Sequence, residues 1–135
     1  MILVDSCVLI DVFDGDPNWS DWSRRQLDTW SDRGPLLINP VIYAEIAADF
    51  DTIESLNSVI DRAQLELREL PRAALFLAGQ AHLRYRHRGG IRAGVLSDFF
   101  IGAHASVLKI PVLTRNTARY KGYFSKLRLI APAAQ

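Results

Sequence analysis

The sequence predicts an α/β fold: a central, mostly parallel sheet with helices on both faces. Three observations carry that expectation. Short apolar runs recur at 2–4, 36–38, 111–114 and 127–130. Segments with helical periodicity separate them, and strands alternating with helices imply parallel pairing. At 135 residues with 49% hydrophobic content, the chain has the size and composition of one globular domain, expected over 1–135.

Each element has its own reason. "ILV" (2–4) is a buried strand, and "SCVLIDVF" a short helix with Val8, Leu9, Val12 and Phe13 as its apolar residues. "DGDP" (14–17) is a loop. Residues 19–33 have helical period, with Trp19, Trp22, Ser23, Gln26 and Trp30 near one face, and Gly34 and Pro35 end the segment. "LLI" (36–38) is a second buried strand. Asn39 is a good N-cap and Pro40 a good first helical residue, so "PVIYAEIAADF" is a helix carrying Glu45. Residues 51–64 form another, with Ile53, Leu56, Val59 and Ile60 on one side. "LELREL" alternates and reads as either a short strand or an extended link.

A long helix follows from Pro71 to about Arg88. Gly89, Gly90 and Gly94 predict a mobile loop, and Ser97 is the expected cap of a helix from Asp98 to about Lys109. "PVLT" (111–114) is a third strand and "LRLI" (127–130) a fourth.

Composition excludes several classes. No run reaches the roughly 18 apolar residues of a membrane span. The acids Asp5 and Asp11 and the lack of a basic start do not fit a signal peptide. One cysteine, Cys7, excludes an internal disulfide and fits a reducing cytoplasm; a buried small hydrophobe is its expected role. No P-loop or GxGxxG is present. The net charge of +1 hides an asymmetry. Residues 1–69 hold five arginines against 14 acids, whereas residues 70–135 hold 11 Lys and Arg against Asp98 alone. Either the basic half meets a polyanion, or the halves neutralise each other.

In parallel α/β sheets, ligands bind beyond the carboxyl ends of the strands. Asp5 follows the first strand, Asn116 lies just after the third, and Asp98 opens the helix feeding it. Glu45 sits in the helix after the second strand and can reach the same rim. Carboxylates gathered there repel one another and call for a cation; hard oxygen donors select Mg²⁺ or Mn²⁺. Such a metal can activate water and clamp a phosphodiester. Each acid has a plainer role available: Asp5 as a helix N-cap, Glu45 facing water, Asp98 as a helix-terminal charge.

"HLRYRHRGGIRAG" (82–94) interleaves Arg84, Arg86, Arg88 and Arg92 with Tyr85, a mixture suited to phosphates and unpaired bases. Arg115 and Arg119 lie near the proposed site in sequence; they could hold the scissile phosphate or pair with acids of the N-terminal half. His82, His87 and His104 lack metal-ligand spacing, so structural or surface roles are expected.

Four stretches in order resemble a known family. "ILVDSCVLID" resembles the opening of PIN domains, where a hydrophobic strand ends in Asp and then Ser or Thr. "INPVIYAEI" is similar to their Glu-bearing helix, "LSDFFIGAHA" to the helix with the third acid, and "PVLTRNTARYKGYF" to the fourth motif. The resemblance spans nearly the whole chain and is to VapC-type toxins of type II toxin–antitoxin pairs. It implies a PIN-like three-layer fold and Mg²⁺- or Mn²⁺-dependent endoribonuclease activity. By motif, Asp5, Glu45 and Asp98 are the implied acidic residues, with Asp5 and Asp98 on the metal. Ser6 is the implied support of Asp5, and Thr114 that of the fourth position. Asn116 stands where the family often has an acid, which points to one metal, with Asn116 orienting a water. The resemblance also implies a homodimer silenced by a VapB-type antitoxin. The rival expectations are a PIN-like module that binds RNA or protein without cleaving, and a phosphotransfer domain, for which the expected paired acids or Asp-x-Asp are missing at Asp5-Ser6-Cys7.

Overall fold

Ile2–Val4 form the central strand, β1, and none of its three side chains is exposed above 2%. Consecutive strand residues point to opposite faces, so burial of all three means that both faces are covered. The computed structural model describes residues 1–92 and 95–133.

In chain order, β1 is followed by α1 (Ser6–Asp14), α2 (Ser20–Ser31), β2 (Leu36–Ile38), α3 (Pro40–Ala47) and α4 (Ile53–Arg62). Then come β3 (Leu65–Leu67), α5 (Arg72–His87), α6 (Val95–Leu108), β4 (Val112–Leu113), α7 (Ala118–Tyr123) and β5 (Leu129–Ile130). The strand order is β3-β2-β1-β4-β5 and every pairing is parallel. The expected "mostly parallel" sheet is thus all-parallel among the described residues. "LELREL" resolves as an edge strand over its first three residues, because Leu65 is buried beside Leu36.

The order reverses between β1 and β4. Chain order runs outward from β1 through β2 and β3, then returns to the other side of β1. That makes the β1–β4 junction the topological switch point, where loops diverge and leave a crevice. Registers Leu3↔Val112 and Val4↔Leu113 carry Asp5 and Thr114 out of the sheet side by side. Asp5 is tied there by its backbone N–H donating to the Leu113 carbonyl at 2.9 Å.

Asn39 and Pro40 start α3 as expected: the Asn39 side chain accepts from Ile42 N–H at 2.9 Å. Thr52 caps α4 in the same way. Gly34 marks a close approach, since a Cβ there would lie 2.9 Å from the Met1 nitrogen.

One expected boundary is corrected. Ser97 does not cap a helix beginning at Asp98; α6 already runs from Val95, and Ser97 lies in its first turn. Val95 is buried, so the core holds the helix open one turn earlier than capping preference suggests. Among the described residues the predicted loop runs over 88–92, with Gly89 at φ +84° and a Cβ at Gly90 colliding with the Tyr85 ring. Gly94, the third glycine of that expectation, lies outside the described residues. No helix among the described residues is long and apolar enough to cross a membrane.

Candidate active site at the carboxyl rim of the sheet

Asp5 is 5% exposed and occupies the N-cap position of α1, yet its carboxylate makes no cap hydrogen bond. The carboxylate turns instead to three hydroxyls. Oδ2 accepts from Thr114 Oγ1 and from the Tyr120 hydroxyl, each at 2.8 Å. Oδ1 meets Ser6 Oγ only at 3.4 Å. Ser6 has one proton to give, and its shorter contact, 3.0 Å, is to Glu45 Oε1. Oδ2 is therefore occupied, and Oδ1 is the Asp5 oxygen left to take a further ligand.

Thr114 is fully buried and works as a relay. Its hydroxyl donates to Asp5 and accepts from the Asn116 backbone N–H at 3.0 Å. It thus supports Asp5 with its proton and the Asn116 turn with its lone pair. The Asn116 side chain itself is exposed and has no hydrogen bond to a described residue. Tyr120 was not singled out from the sequence. It is 1% exposed, and burial with the nearby Asp5 and Asp98 charges raises its hydroxyl well above the ordinary value, so it remains a donor. Gly102 of α6 makes room for it: a Cβ there would lie 2.6 Å from the Phe124 ring and 3.1 Å from Tyr120.

The other two acids complete the rim. Glu45 projects from α3, and burial raises its carboxyl above the usual range despite the Ser6 hydrogen bond; Asp5 and Asp98 raise it further. Asp98, from the first turn of α6, is pushed up to about 6 by burial and by Asp5, against the pull of Arg119. The Arg119 guanidinium stands 3.6 Å from Asp98 Oδ2. Three carboxylates from three elements therefore share one electrostatic neighbourhood, and excess negative charge is its main feature.

This donor set is all oxygen and anionic, as a hard divalent cation requires. No group of three His, Cys, Asp or Glu among the described residues stands close enough to enclose an ion. An ion held by one or two carboxylates while keeping several waters is the usual Mg²⁺ arrangement. Asp5 Oδ1 and Asp98 fit that role, with Glu45 beside them.

The basic residues divide. Arg115 turns away from the carboxylates and forms a two-pronged pair with Asp11, Nε to Oδ2 and Nη2 to Oδ1, the latter at 2.8 Å. Ser23 also donates to Asp11, and the Arg115 guanidinium lies 5.1 Å from the Trp19 ring centroid. Arg119 stays at the rim, over the Tyr85 ring at 5.4 Å. Arg84 and Arg88 lie over Tyr123 at 5.9 and 5.0 Å. The Arg92 backbone N–H donates to the Tyr85 hydroxyl, and Arg86 is exposed beside them. Phe99, next to Asp98, packs edge-on against Tyr85 and Tyr123, so the arginine–tyrosine surface adjoins the acids. Among the described residues, Arg115–Asp11 is the one ion pair joining the acidic and basic halves. The halves fold together, yet direct pairing leaves most of the basic half's charge available.

Cys7 is half-buried beside Thr114, and burial pushes its thiol up to about 11, so no nucleophile forms there near neutral pH. His104 is buried and bonded to Asn39, a structural role as expected.

The PIN domain family model matches residues 2–124. No curated protein matches the sequence. Among solved structures, VapBC2 from Rickettsia felis bound to a promoter DNA fragment is similar at TM-score 0.74 and 18% identity, covering 98% of this chain and 100% of that one. DNA-bound VapBC from Salmonella typhimurium gives TM-score 0.71 and 17% identity, covering 97% and 98%. A toxin–antitoxin complex from Klebsiella pneumoniae gives 0.68 and 18%, covering 96% of each chain. At these identities the likeness establishes a shared fold.

Proposed function

The chain belongs to the PIN domain family, and from that premise we propose that it is a VapC-type endoribonuclease toxin dependent on Mg²⁺ or Mn²⁺. The observation that carries the proposal is the meeting of Asp5, Glu45 and Asp98, from three separate elements, at the switch point of a parallel sheet. Their mutual repulsion is a cost that a stable scaffold retains for a function.

Asp5 Oδ1 and Asp98 would hold the metal, which when bound supplies charge stabilisation and an activated water. Thr114 and Tyr120 hold Asp5 in place through Oδ2, and Ser6 orients Glu45. Glu45, with its raised proton affinity, is suited to take a proton from the attacking water. Asn116 offers its exposed amide to orient that water. Arg119 offers its guanidinium to the scissile phosphate, and Arg84, Arg86, Arg88 and Arg92 guide the flanking RNA. Arg115, committed to Asp11, anchors the Thr114–Asn116 turn in this reading. A VapB-type antitoxin as partner, a homodimer, a cytoplasmic location and a single domain over 1–135 belong to the same proposal. The toxin–antitoxin complexes of similar fold support the antitoxin.

The alternative is a PIN module that binds RNA or protein without cutting. The amide at Asn116 and the absence of a closed three-carboxylate group among the described residues favour it. The test is RNA cleavage by purified, antitoxin-free protein in Mg²⁺ or Mn²⁺ and in EDTA, beside Asp98→Asn. Cleavage that needs metal and vanishes in the variant is expected. RNA binding without cleavage across a broad panel favours the alternative, and cleavage surviving both EDTA and the substitution overturns the metal mechanism.

A further inference from the structure

A second basic feature lies at the opposite end of the strands from the acids. A cavity of about 360 Å³ opens between the end of α6 and the start of β4 and β5. Ile110, Pro111 and Leu127 line it with apolar surface, and Lys109, Lys126 and Arg128 line it with positive charge. All three cations are exposed, and none has a side-chain hydrogen bond or ion pair among the described residues. Among the described residues, no acidic side chain lines the cavity.

Unpaired cations grouped around an apolar recess repel one another, and an anion relieves that repulsion. Long side chains on the rim can swing to a phosphate while an apolar floor packs against its sugar. No aromatic ring among the described residues lines the cavity, so it is built to hold backbone and not to stack bases.

We propose that this cavity is a second anchoring site for the phosphate backbone of a single-stranded RNA, remote from the carboxylate rim. The proposal rests on the reading of the chain as RNA-directed and extends it to how a long substrate is held. α6 sets the geometry. Asp98 lies in its first turn and Lys109 just past its last residue, so the two are separated by about 16 Å along the axis. At about 3.4 Å per stacked nucleotide, a strand that keeps its bases stacked covers that separation in about five nucleotides. The site therefore discriminates by length: long RNA reaches both features, and a dinucleotide, whose single phosphodiester step is far shorter than that separation, reaches one.

The experiment is fluorescence-anisotropy binding in EDTA, so that cleavage is not needed for a signal. The probes are a labelled single-stranded RNA of about 20 nucleotides, enough to span the separation several times over, and a labelled dinucleotide. The triple variant Lys109→Glu/Lys126→Glu/Arg128→Glu is compared with Arg24→Glu/Arg25→Glu/Arg62→Glu, which changes net charge equally elsewhere. Expected is a loss of about tenfold or more in long-RNA affinity for the first variant alone, with a salt slope smaller by about 2. The dinucleotide, which offers one phosphodiester, should lose much less affinity in the first variant than the long RNA does. Equal long-RNA affinities in the two triples overturn the proposal. So does an acidic peptide of matched charge that binds the wild-type cavity while the RNA does not. The single Lys126→Glu variant, expected to give part of the effect, guards against misfolding of the triple. Wild-type protein that binds long RNA through the cavity but never cuts it leaves this inference standing and removes the nuclease. Cleavage by a protein whose long-RNA binding ignores the cavity does the reverse.

Discussion

The Asn39 side chain meets His104 Nδ1 at 3.1 Å, joining the start of α3 to the middle of α6 inside the core. The donor is fixed by the partner on the other side. Asn39 Oδ1 already accepts from Ile42 N–H, so its NH₂ faces the imidazole. An NH₂ can only donate, so Nδ1 accepts and the neutral ring carries its proton on Nε2. α3 bears Glu45 and α6 bears Asp98, so one buried hydrogen bond couples the two helices that present acids. Asn39→Ala removes a cap and leaves a buried acceptor without its partner. Together these cost about 2–4 kcal/mol, to be read from urea unfolding at pH 7.5. Asn39→Ser keeps a capping oxygen and should recover about 1 kcal/mol of that.

The same histidine gives stability a pH dependence. Burial, and then the nearby Arg68 charge, lower the His104 pKa from its ordinary 6.5. The unfolded chain thus binds a proton more readily than the folded one. The neutral ring's contribution is complete above pH 6.5 and is lost as pH falls from there through the lower folded value. In His104→Gln, whose amide oxygen can still accept from Asn39, this loss disappears. Denaturant midpoints of wild type and variant should separate as pH falls below about 6.5, to the wild type's disadvantage. Parallel curves down to pH 5 would remove this account.

Asp98 behaves in the opposite sense. Its folded pKa, about 6, stands above the ordinary 3.8. The folded state then holds the proton more tightly, and that advantage, complete below 3.8, is lost as pH rises through about 6. In metal-free protein, Asp98→Asn should be more stable than wild type at pH 8. Discounted for its solvent-facing side, the gain is about 1 kcal/mol. It should vanish by about pH 4, where wild-type Asp98 is protonated as well. Mg²⁺ should raise the melting temperature of wild type more than that of the variant.

Tyr120 makes a sharper test of the acid site, because it does not face the solvent. Tyr120→Phe keeps the ring against Gly102 and removes one of two hydroxyls on Asp5 Oδ2. Removing such a supporting hydrogen bond at a metal site commonly costs about 10–100-fold in metal affinity or activity. Mn²⁺ titration followed by electron paramagnetic resonance should show that weakening, with the fold intact by circular dichroism. Unchanged Mn²⁺ affinity would mean that Thr114 alone suffices to hold Asp5.

Much of this arrangement was legible in the chain. β1, β2 and β4 are apolar runs ending at Asp5, Asn39 and Thr114, so the rim follows from where hydrophobicity stops. Asp5 and Glu45 follow from their spacing after β1 and β2, and Asp98 from its place at the start of the helix that feeds β4. Tyr120 is not legible as a site residue because a tyrosine in a short helix reads as packing; its hydroxyl's destination is fixed only by the turn that brings α7 across α6. Local preference marks Ser97 as a cap, but burial of Val95 starts α6 three residues before Asp98. The choice open to Arg115, phosphate or acid, could not be made from one sequence, since Asp11 meets it only through the β1–β4 pairing.

That ion pair supports the last prediction. The Asp11 side chain is 3% exposed, and Arg115 and Ser23 are its partners. Replacing Arg115 by Met leaves a buried carboxylate with one hydroxyl, a change that costs about 3–5 kcal/mol when a buried pair is broken. Asp11→Asn keeps the volume and an acceptor, so it should cost less. The double variant Asp11→Leu/Arg115→Met removes both charges and should recover much of the loss, because two apolar side chains need no solvation. Arg115 lies between Thr114 and Asn116, so its loss also frees the turn that holds Asp5. Asp11→Leu/Arg115→Met should therefore regain stability in urea unfolding without regaining RNA cleavage. If cleavage returns with stability, the pair serves the fold alone, and the Thr114–Asn116 turn needs no anchor from α1.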